Sequence, residues 1–210
     1  MAAEKKAKAP SRSRRRDRPS PRERLLASAT SLFTTEGIRV IGIDRILREA
    51  DVAKASLYSL FGSKDALVVA YIKQLDQQWR TAWAARAEAA NNPTDKLLAF
   101  FDLCIEEEPA KGFRGSHFQN AASEYPRPET DCERDIVAAV QEHRHWCRST
   151  ISSLLAEKNG YPGGSQAEQL LLYIDGGLAG AKLSKDLAPL YMARQLAADL
   201  LTMPPADYAI

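Results

Sequence analysis

The chain has 210 residues, of which 45% are hydrophobic and 27% are charged. This composition is typical of a globular protein and excludes global disorder, and the length fits one ordinary domain with or without a small second module. The apolar runs are short and interrupted by charge, whereas a membrane span needs ~18 uninterrupted apolar residues. No apolar segment follows the basic N-terminus. We therefore expect neither an integral membrane protein nor a secretory signal peptide.

The net charge of +2 is unevenly distributed. Residues 1–24 carry ten Lys and Arg against three acidic residues, so this segment has a charge of +7 and the remainder −5. Such a basic segment favours a polyanion as partner, although a solvated tail without a partner has the same charge. Residues 1–19 consist mainly of Lys, Arg, Ala, Ser and Pro. We expect a disordered basic arm there, because little in it offsets the entropy of ordering.

The first predicted helix begins with a capping box, in which Ser20 is the N-cap and Glu23 the third helical residue. Pro21 suits the first helical position, and Gly37 suits the position after the last. Leucine, alanine and phenylalanine recur between them at helical spacing. These signals together predict a helix from Pro21 to the residue before Gly37.

Caps, helical periodicity and Gly or Pro breaks predict the remaining helices. Two further capping boxes are expected at Thr130–Glu133 and Ser165–Glu168. No segment has the alternation of a half-buried strand, so the pattern predicts an all-α fold of about nine helices. The later helices are expected at 43–50, 53–60, after Ser63, after Pro93, over 113–125, from Thr130 to about Lys158, over 170–183 and after Asp186.

Residues 37–65 carry the most informative pattern. Short helical segments are joined by tight turns and their apolar side chains converge, as in a helix-turn-helix. In that unit the second helix of the pair enters the DNA major groove, where its exposed N-terminal side chains reach base edges. The converging residues are Ile43, Ile46, Leu47, Val52 and Leu57, and the exposed candidates are Lys54, Ala55, Ser56 and Ser59.

The run from Ile46 to Leu67, ILREADVAKASLYSLFGSKDAL, resembles the DNA-binding domain of TetR/AcrR-family transcriptional regulators. The motif region spans 21–68, and chain length and helix number extend the resemblance more weakly to the whole chain. The resemblance implies a DNA-binding domain over 20–68 after the arm, and a ligand-binding and dimerisation domain over 69–210. Matches to the family pattern fall on Ile46, Ala50, Val52, Leu57, Tyr58, Phe61, Ser63, Lys64 and Leu67.

The resemblance also implies roles for single residues. Tyr58 and Lys64 are expected to hold phosphates, and Gly42 is expected to offer its backbone N–H. Lys54, Ala55 and Ser56 are expected to face bases. For Tyr58 and Lys64, the alternative is a half-buried tyrosine and a solvated lysine without a role in binding.

Three positions depart from the family pattern. Asp51 replaces the usual turn glycine, and aspartate tolerates the left-handed conformation, so we expect the turn to survive. Ala53 replaces a helix-capping serine, which removes ~1 kcal/mol of capping. Leu60 replaces a His or Tyr, which puts one phosphate contact in doubt. The basic arm is a candidate to compensate, through sequence-independent attraction or by entering a minor groove.

The segment from Gly112 to Asn120 combines aromatic, histidine and amide side chains, and is a candidate pocket wall. On the seventh helix, His143 is a polar residue on the same apolar stripe as Cys147. A plain hydrophobic core would give the same pattern. The candidate residues for binding a small-molecule effector of unknown identity are Phe113, His117, Phe118, Asn120, His143, Trp146 and Cys147.

The three cysteines, at positions 104, 132 and 147, lack CxxC spacing and do not predict a disulfide framework. A reducing cytoplasm is the simpler expectation. His143 and Cys147 are four residues apart and could chelate a metal, but their spacing matches no zinc pattern. No cysteine has an evident activating base in the sequence, which argues against a redox sensor. We expect no metal and no cofactor.

The last two helices carry apolar stripes, with glycines at 176, 177 and 180 that permit close helix approach. Two such helices per subunit would form a four-helix contact between the subunits of a homodimer. Burial of both stripes within one chain is the alternative. The candidate interface residues are Leu171, Ile174, Leu178, Leu190, Arg194 and Ala197.

These patterns, together with what the resemblance to TetR/AcrR-family regulators implies, predict a homodimeric transcriptional repressor that binds a palindromic operator and is released by a small molecule. The two helix-turn-helix units of the dimer would bind half-sites about 34 Å apart on double-stranded DNA. One alternative is an architectural nucleic-acid-binding protein driven by the basic arm. A second is a small helical enzyme, or a metal or redox sensor, that uses the His/Cys cluster over 104–147. No nucleophile–base or phosphate-loop motif supports an enzyme.

Overall fold

The computed structural model describes residues 18–203, so most of the predicted basic arm lies outside the described residues. The described part forms nine α-helices and contains no strand. No helix among residues 18–203 is both long enough and apolar enough to cross a membrane. The helices are α1 (Pro21–Glu36), α2 (Ile43–Ala50), α3 (Lys54–Phe61), α4 (Lys64–Ala89), α5 (Pro93–Glu107), α6 (His117–Glu124), α7 (Asp131–Asn159), α8 (Gly164–Ser184) and α9 (Ala188–Thr202).

Local capping fixes most helix starts where the sequence predicts them. At α1, Ser20 Oγ accepts from the Glu23 backbone N–H, and the Glu23 carboxylate accepts from the Ser20 N–H at 2.7 Å. The second capping box forms in the same way at Thr130 and Glu133, and Ser63 caps α4. These contacts lie within a few residues along the chain, which is why the sequence alone predicts them.

Two helix starts differ from the prediction. The α6 helix begins at His117, because Gly112, Phe113 and Gly115 adopt positive φ angles that a helix cannot continue through. The α8 helix begins at Gly164, so Ser165 already lies inside it. The capping box expected at Ser165–Glu168 therefore does not form.

Two hydrophobic cores organise the described chain. The first joins the head, which we define as α1–α3, to the first half of α4, and it also contains Phe118, Tyr125 and Ile136 from the α6–α7 region. The second core joins α5, α8 and α9 to the second half of α7. The first core therefore continues beyond residue 68, where the sequence places the domain boundary, and α6 packs against the head.

Candidate functional site

The turn between α2 and α3 fixes the position of α3. Asp51 adopts the left-handed conformation at φ 49° and ψ 56°, as expected for the residue that replaces glycine. Arg24 of α1 donates from Nε to the Ala50 carbonyl and from Nη2 to the Asp51 carbonyl, each at 2.9 Å. These bonds cap the end of α2. Sequence reasoning missed this role of Arg24, because its partners lie 26 and 27 residues away.

The outer face of α3 presents most of the predicted DNA-contacting residues to solvent. Leu57 is fully buried in the first core, so the opposite side of the helix faces outward. Lys54, Ala55 and Ser59 are exposed, Ser56 is half-buried, and Tyr58 is 46% exposed. Gly42 is exposed at the N-cap of α2. The side chain of Ala53 makes no cap hydrogen bond, which leaves N–H groups at the start of α3 free for an anion.

Lys64 has a partner inside the chain. Its ammonium donates to the Ile38 carbonyl at 2.7 Å and lies 5.9 Å from the centroid of the Phe33 ring. Burial lowers the pKa of this half-buried amine. The ammonium has three N–H donors, so two remain for a phosphate oxygen.

A cavity of about 540 Å³ lies between α4, α5, α6, α7 and α8. Its volume is in the range of small-molecule sites, and most of its wall is apolar. Leu171, Ile174 and Leu178 of α8 are part of that wall. The largest other apolar side chains that line it are Leu75, Trp79, Phe100, Phe118 and Val140.

Four of the seven predicted ligand-binding residues line this cavity: His117, Phe118, His143 and Cys147. The other three do not.

Phe113 packs against the second core. Asn120 is held by Arg114 and Lys182, because its amide donates to one and accepts from the other. Trp146 packs edge-on against Trp79 and Trp83 and lies under the Arg80 guanidinium. All three therefore support the surrounding structure.

The charged side chains of the cavity wall neutralise one another. Lys111 pairs with Glu107 at 2.6 Å, and Arg144 pairs with Asp175 at 2.7 Å. Burial, together with the nearby charges of Lys111 and Arg114, lowers the pKa of His117 to about 4, so this imidazole is neutral at pH 7. The sequence did not predict that these polar residues line the cavity, because helix packing determines which of them face it.

His143 links two other side chains at the cavity wall. Its Nδ1 lies 2.8 Å from Asp76 Oδ1, and its Nε2 lies 3.6 Å from Cys147 Sγ. Phe118 stacks on the imidazole with ring centroids 3.6 Å apart and an interplanar angle of 6°. Burial lowers the pKa of His143, although the hydrogen bond that its ring donates to Asp76 opposes the shift. Sequence reasoning found His143 and Cys147 but missed Asp76, which is 67 residues away.

Comparison of the sequence and the structure with known proteins identifies the family of this chain. The family model for bacterial regulatory proteins of the tetR family matches residues 25–71. SCO4454, a TetR-family transcriptional regulator from Streptomyces coelicolor, is 32% identical in sequence, and its structure superposes with a TM-score of 0.72. That match covers 86% of this chain and 92% of SCO4454. The chain belongs to the TetR family. It is a helix-turn-helix transcriptional regulator of the DNA-binding repressor type, and this family and fold are not those of enzymes.

Two further similar proteins support less, because one matches over a short segment and the other has low sequence identity. The HTH-type transcriptional regulator LmrA of Bacillus subtilis is 32% identical over 80 residues, which are 38% of this chain and 43% of LmrA. The chain therefore matches less than half the length of that relative. The structure of the reduced form of NemR from Escherichia coli is 23% identical in sequence and superposes with a TM-score of 0.74. That match covers 89% of this chain and 100% of NemR, and it supports the fold alone.

Five of the six residues chosen from sequence as the dimer interface are buried within this TetR-family chain. Leu171, Ile174 and Leu178 line the cavity, while Leu190 and Ala197 are fully buried in the second core. In the single chain these five side chains pack internally. The sixth, Arg194, is half-buried and donates to Asp102 Oδ1 at 2.5 Å.

The exposed apolar face of α8 and α9 lies on the other side of these helices. Leu172, Gly176, Ala179 and Leu183 follow one another at steps of four, three and four residues along α8, and all are exposed. Among these, Leu172 is 63% exposed and Leu183 is 85% exposed. The exposed apolar side chains at or beside α9 are Tyr191, Met192, Leu196 and Met203. We call this set the outer stripe.

Proposed function

We propose that this regulator is a homodimeric repressor that leaves a palindromic operator when a neutral small molecule occupies the cavity. The two heads would bind successive major grooves about 34 Å apart. Lys54, Ala55, Ser56 and Ser59 would face base edges. Gly42, Tyr58 and Lys64 would hold phosphates and set the register. A protein with this role acts where the DNA is, so we place it in the cytoplasm.

The observation that carries the proposal is the position of α6. One side of this short helix lines the cavity through His117 and Phe118. At its other end, the Glu124 carboxylate accepts from the backbone N–H groups of Ile38 and Arg39 at 2.6 to 2.9 Å. A ligand that moves α6 therefore pulls directly on the turn between α1 and α2.

Release is a shift between two populations of the dimer. A ligand shifts them only if it binds one head separation more tightly than the other. Because Phe118 belongs both to the cavity wall and to the first core, a ligand that displaces Phe118 also disturbs the core that contains the head.

The outer stripe supports a second copy of this chain as the occupant of that face. It runs along the length of α8 and continues on α9, so two copies related by a two-fold axis would form a four-helix contact. A recognition helix of eight residues also offers few base contacts alone, whereas a palindrome requires two.

The cavity chemistry defines the class of ligand. Both ion pairs in the wall are satisfied within the chain, and burial lowers the pKa of His117 and of His143, which favours their neutral forms. A charged guest would have to break one of these pairs or lose its hydration without compensation. Trp79, Phe100 and Phe118 offer aromatic surface. We therefore expect a neutral, largely aromatic effector.

The first experiment is a gel shift of the purified protein on its own upstream DNA and on a random duplex, at two salt concentrations. A preference of ~10³-fold or more for the upstream DNA supports a specific regulator. Equal and strongly salt-dependent binding to both duplexes favours the architectural alternative, unless the operator is distant. Removal of residues 1–19 decides between them, because sequence preference survives that truncation only if the head reads DNA.

Two substitutions then test the placement of the recognition helix. Tyr58→Phe should weaken binding to operator and random DNA alike, since it removes a phosphate contact. Lys54→Gln should change which sequence is preferred. If neither substitution alters binding, α3 does not read the operator.

A further inference from the structure

The cavity wall carries a cysteine, a histidine and an aspartate in a hydrogen-bonded chain. Cys147 Sγ lies 3.6 Å from His143 Nε2, and His143 Nδ1 lies 2.8 Å from Asp76 Oδ1. Cys147 and His143 both line the cavity. The order of the three groups, a nucleophile, a base and a carboxylate that orients the base, is the arrangement that activates thiols and hydroxyls for attack.

The contacts of Asp76 determine which nitrogen of His143 carries a proton. Asp76 also pairs with Arg80 at 2.8 Å, so it is a carboxylate and only accepts hydrogen bonds. His143 Nδ1 must then carry a proton. Because the imidazole is neutral, its Nε2 has a free lone pair, and this lone pair faces the Cys147 thiol.

The geometry does not serve a metal ion. Asp76 and Cys147 contact different nitrogens on opposite sides of one imidazole ring, so they cannot converge on a single ion with it. Among residues 18–203, no three His, Cys, Asp or Glu side chains are grouped to hold a metal. Stacking by Phe118 and an edge-on contact from Trp79 hold the ring in this orientation.

We propose that Cys147 captures a neutral electrophilic ligand covalently, with His143 as the proton acceptor and Asp76 as the residue that positions His143. An aromatic α,β-unsaturated ketone represents the class, because it is uncharged and planar and carries an electrophilic carbon. The inference rests on the proposed function in one respect, which is that the cavity admits a neutral aromatic ligand.

The addition balances without an oxidant or a metal. The S–H bond of Cys147 breaks as an S–C bond forms to the β-carbon of the enone, and the thiol proton passes to His143 Nε2. The carbon–carbon π bond breaks, and its electrons form an enolate. His143 returns the proton to the α-carbon, which gives the saturated thioether ketone and a neutral imidazole.

The environment makes this reaction selective. Burial raises the pKa of the Cys147 thiol to about 12, so little thiolate is present and bulk reagents meet an unreactive S–H. A ligand seated in the cavity meets the same thiol next to a base, and needs no pre-formed thiolate.

Cys104 provides a control within the same molecule. It lines the same cavity, it is 3% exposed against 7% for Cys147, and burial raises the pKa of its thiol to about 12 as well. Among residues 18–203, no histidine lies within hydrogen-bonding distance of its sulfur. The two thiols therefore differ chiefly in the adjacent base.

The test treats the full-length protein with 4-phenylbut-3-en-2-one and follows adduct formation by intact mass and peptide mapping. We expect the Cys147 adduct to form at least ~10-fold faster than any adduct on Cys104, and peptide mapping separates both from the partly exposed Cys132. Asp76→Asn should lower the ratio of the two rates by ~10-fold or more, and His143→Gln should do the same. A general loosening of the fold would raise both rates together, so the ratio separates positioning from structural damage. Equal labelling of both thiols, or an unchanged ratio in Asp76→Asn, overturns the inference.

A saturated analogue, 4-phenylbutan-2-one, separates this inference from the proposed function. If the analogue raises the melting temperature and releases DNA while the enone leaves Cys147 unmodified, covalent capture is wrong and effector release stands. If the enone modifies Cys147 but DNA binding is unchanged, capture stands and effector release fails. If neither compound binds or reacts, capture is overturned, and the cavity is to be probed with other neutral ligands.

Discussion

The outer face of α3 and the wall of the cavity both carry polar side chains, and these are satisfied in opposite ways. On α3, Ser59 and Tyr58 are exposed, and Lys54 has only a 3.6 Å ion pair with exposed Asp44. In the cavity, the charged groups pair with each other across one helical turn or between two helices. Open polar groups suit a hydrated polyanion, whereas self-neutralised groups suit a neutral guest.

The same contrast separates the outer stripe from the second core. Leu172 and Leu171 are neighbours on α8, yet the first is 63% exposed and the second 2% exposed. Surfaces that are open in the single chain should govern association and leave folding unchanged. Internal polar groups should govern folding and the link between cavity and head. Of the four substitutions below, ordered from the largest expected effect to the smallest, the first three test this division and the last tests local capping.

Leu183→Glu should break the proposed dimer. Leu183 is the most exposed apolar side chain on α8, so the substitution removes no internal packing. A charge at a two-fold interface meets its own copy, and loss of the paired head should weaken binding to a palindromic operator by ~10³-fold. Sedimentation measures the oligomeric state, and a gel shift measures the affinity. Tyr161→Glu, at an exposed apolar residue between α7 and α8, should change neither; an intact dimer in Leu183→Glu contradicts the assignment of the outer stripe.

Acid should destabilise the protein through His117. Its pKa in the folded state is about 4, below the ordinary value of 6.5, because burial disfavours the charged imidazole. As the pH falls below 6.5, the unfolded chain takes up a proton that the folded chain does not, so stability present at neutral pH is lost down to about pH 4. The loss should reach about 3 kcal/mol.

Urea unfolding at several pH values measures this loss, and His117→Gln should flatten the profile by that amount. The other buried imidazole, His143, shifts in the same direction, so the difference between wild type and variant isolates His117. His145→Gln is the matched control, since His145 is exposed on α7 and should leave the profile unchanged. A profile that His117→Gln does not alter means that this imidazole is solvated in the folded protein.

Glu124→Gln should loosen the connection between α6 and the head. The carboxylate accepts from two backbone N–H groups, and such charge-assisted bonds are about twice as strong as neutral ones. We expect a loss of about 2 kcal/mol, and about 30-fold faster amide exchange at Ile38 and Arg39. Hydrogen exchange with mass spectrometry measures the rate in this segment. Glu23→Gln, which weakens a capping box within α1 only, should leave that exchange rate unchanged.

Sequence analysis predicted contacts between residues that are close along the chain and missed contacts between residues that are far apart. Caps and turns involve neighbours, so the helix-turn-helix and the left-handed Asp51 were predictable. The partners of His143 and Glu124 lie 67 and about 85 residues away, and no periodicity connects them. Only the packing of α4 on α7, and of α6 on the head, brings these groups together.

The apolar stripes of α8 show a second limit. Leucines at 170, 171 and 172 point around the helix, so the helix is apolar on more than one side. Periodicity identifies each stripe but does not state which one faces the second core. The choice of Leu171, Ile174 and Leu178 as interface residues therefore selected the side that lines the cavity.

Ala53→Ser should stabilise the head while changing the exposed surface only by a hydroxyl. The N-cap has φ −69° and ψ 146°, the extended conformation in which a serine Oγ accepts an N–H from the first turn, and Ala53 makes no such bond. We expect a gain of about 1 kcal/mol in urea unfolding. Ala55→Ser is the matched control: it adds the same hydroxyl one position inside the first helical residue of α3, where serine costs about 0.5 kcal/mol relative to alanine. Opposite signs for the two substitutions would locate the start of α3 at Lys54, the end of the helix that we propose faces the bases. A gain from both, or from neither, means that α3 begins elsewhere, and the order of base-contacting residues changes with it.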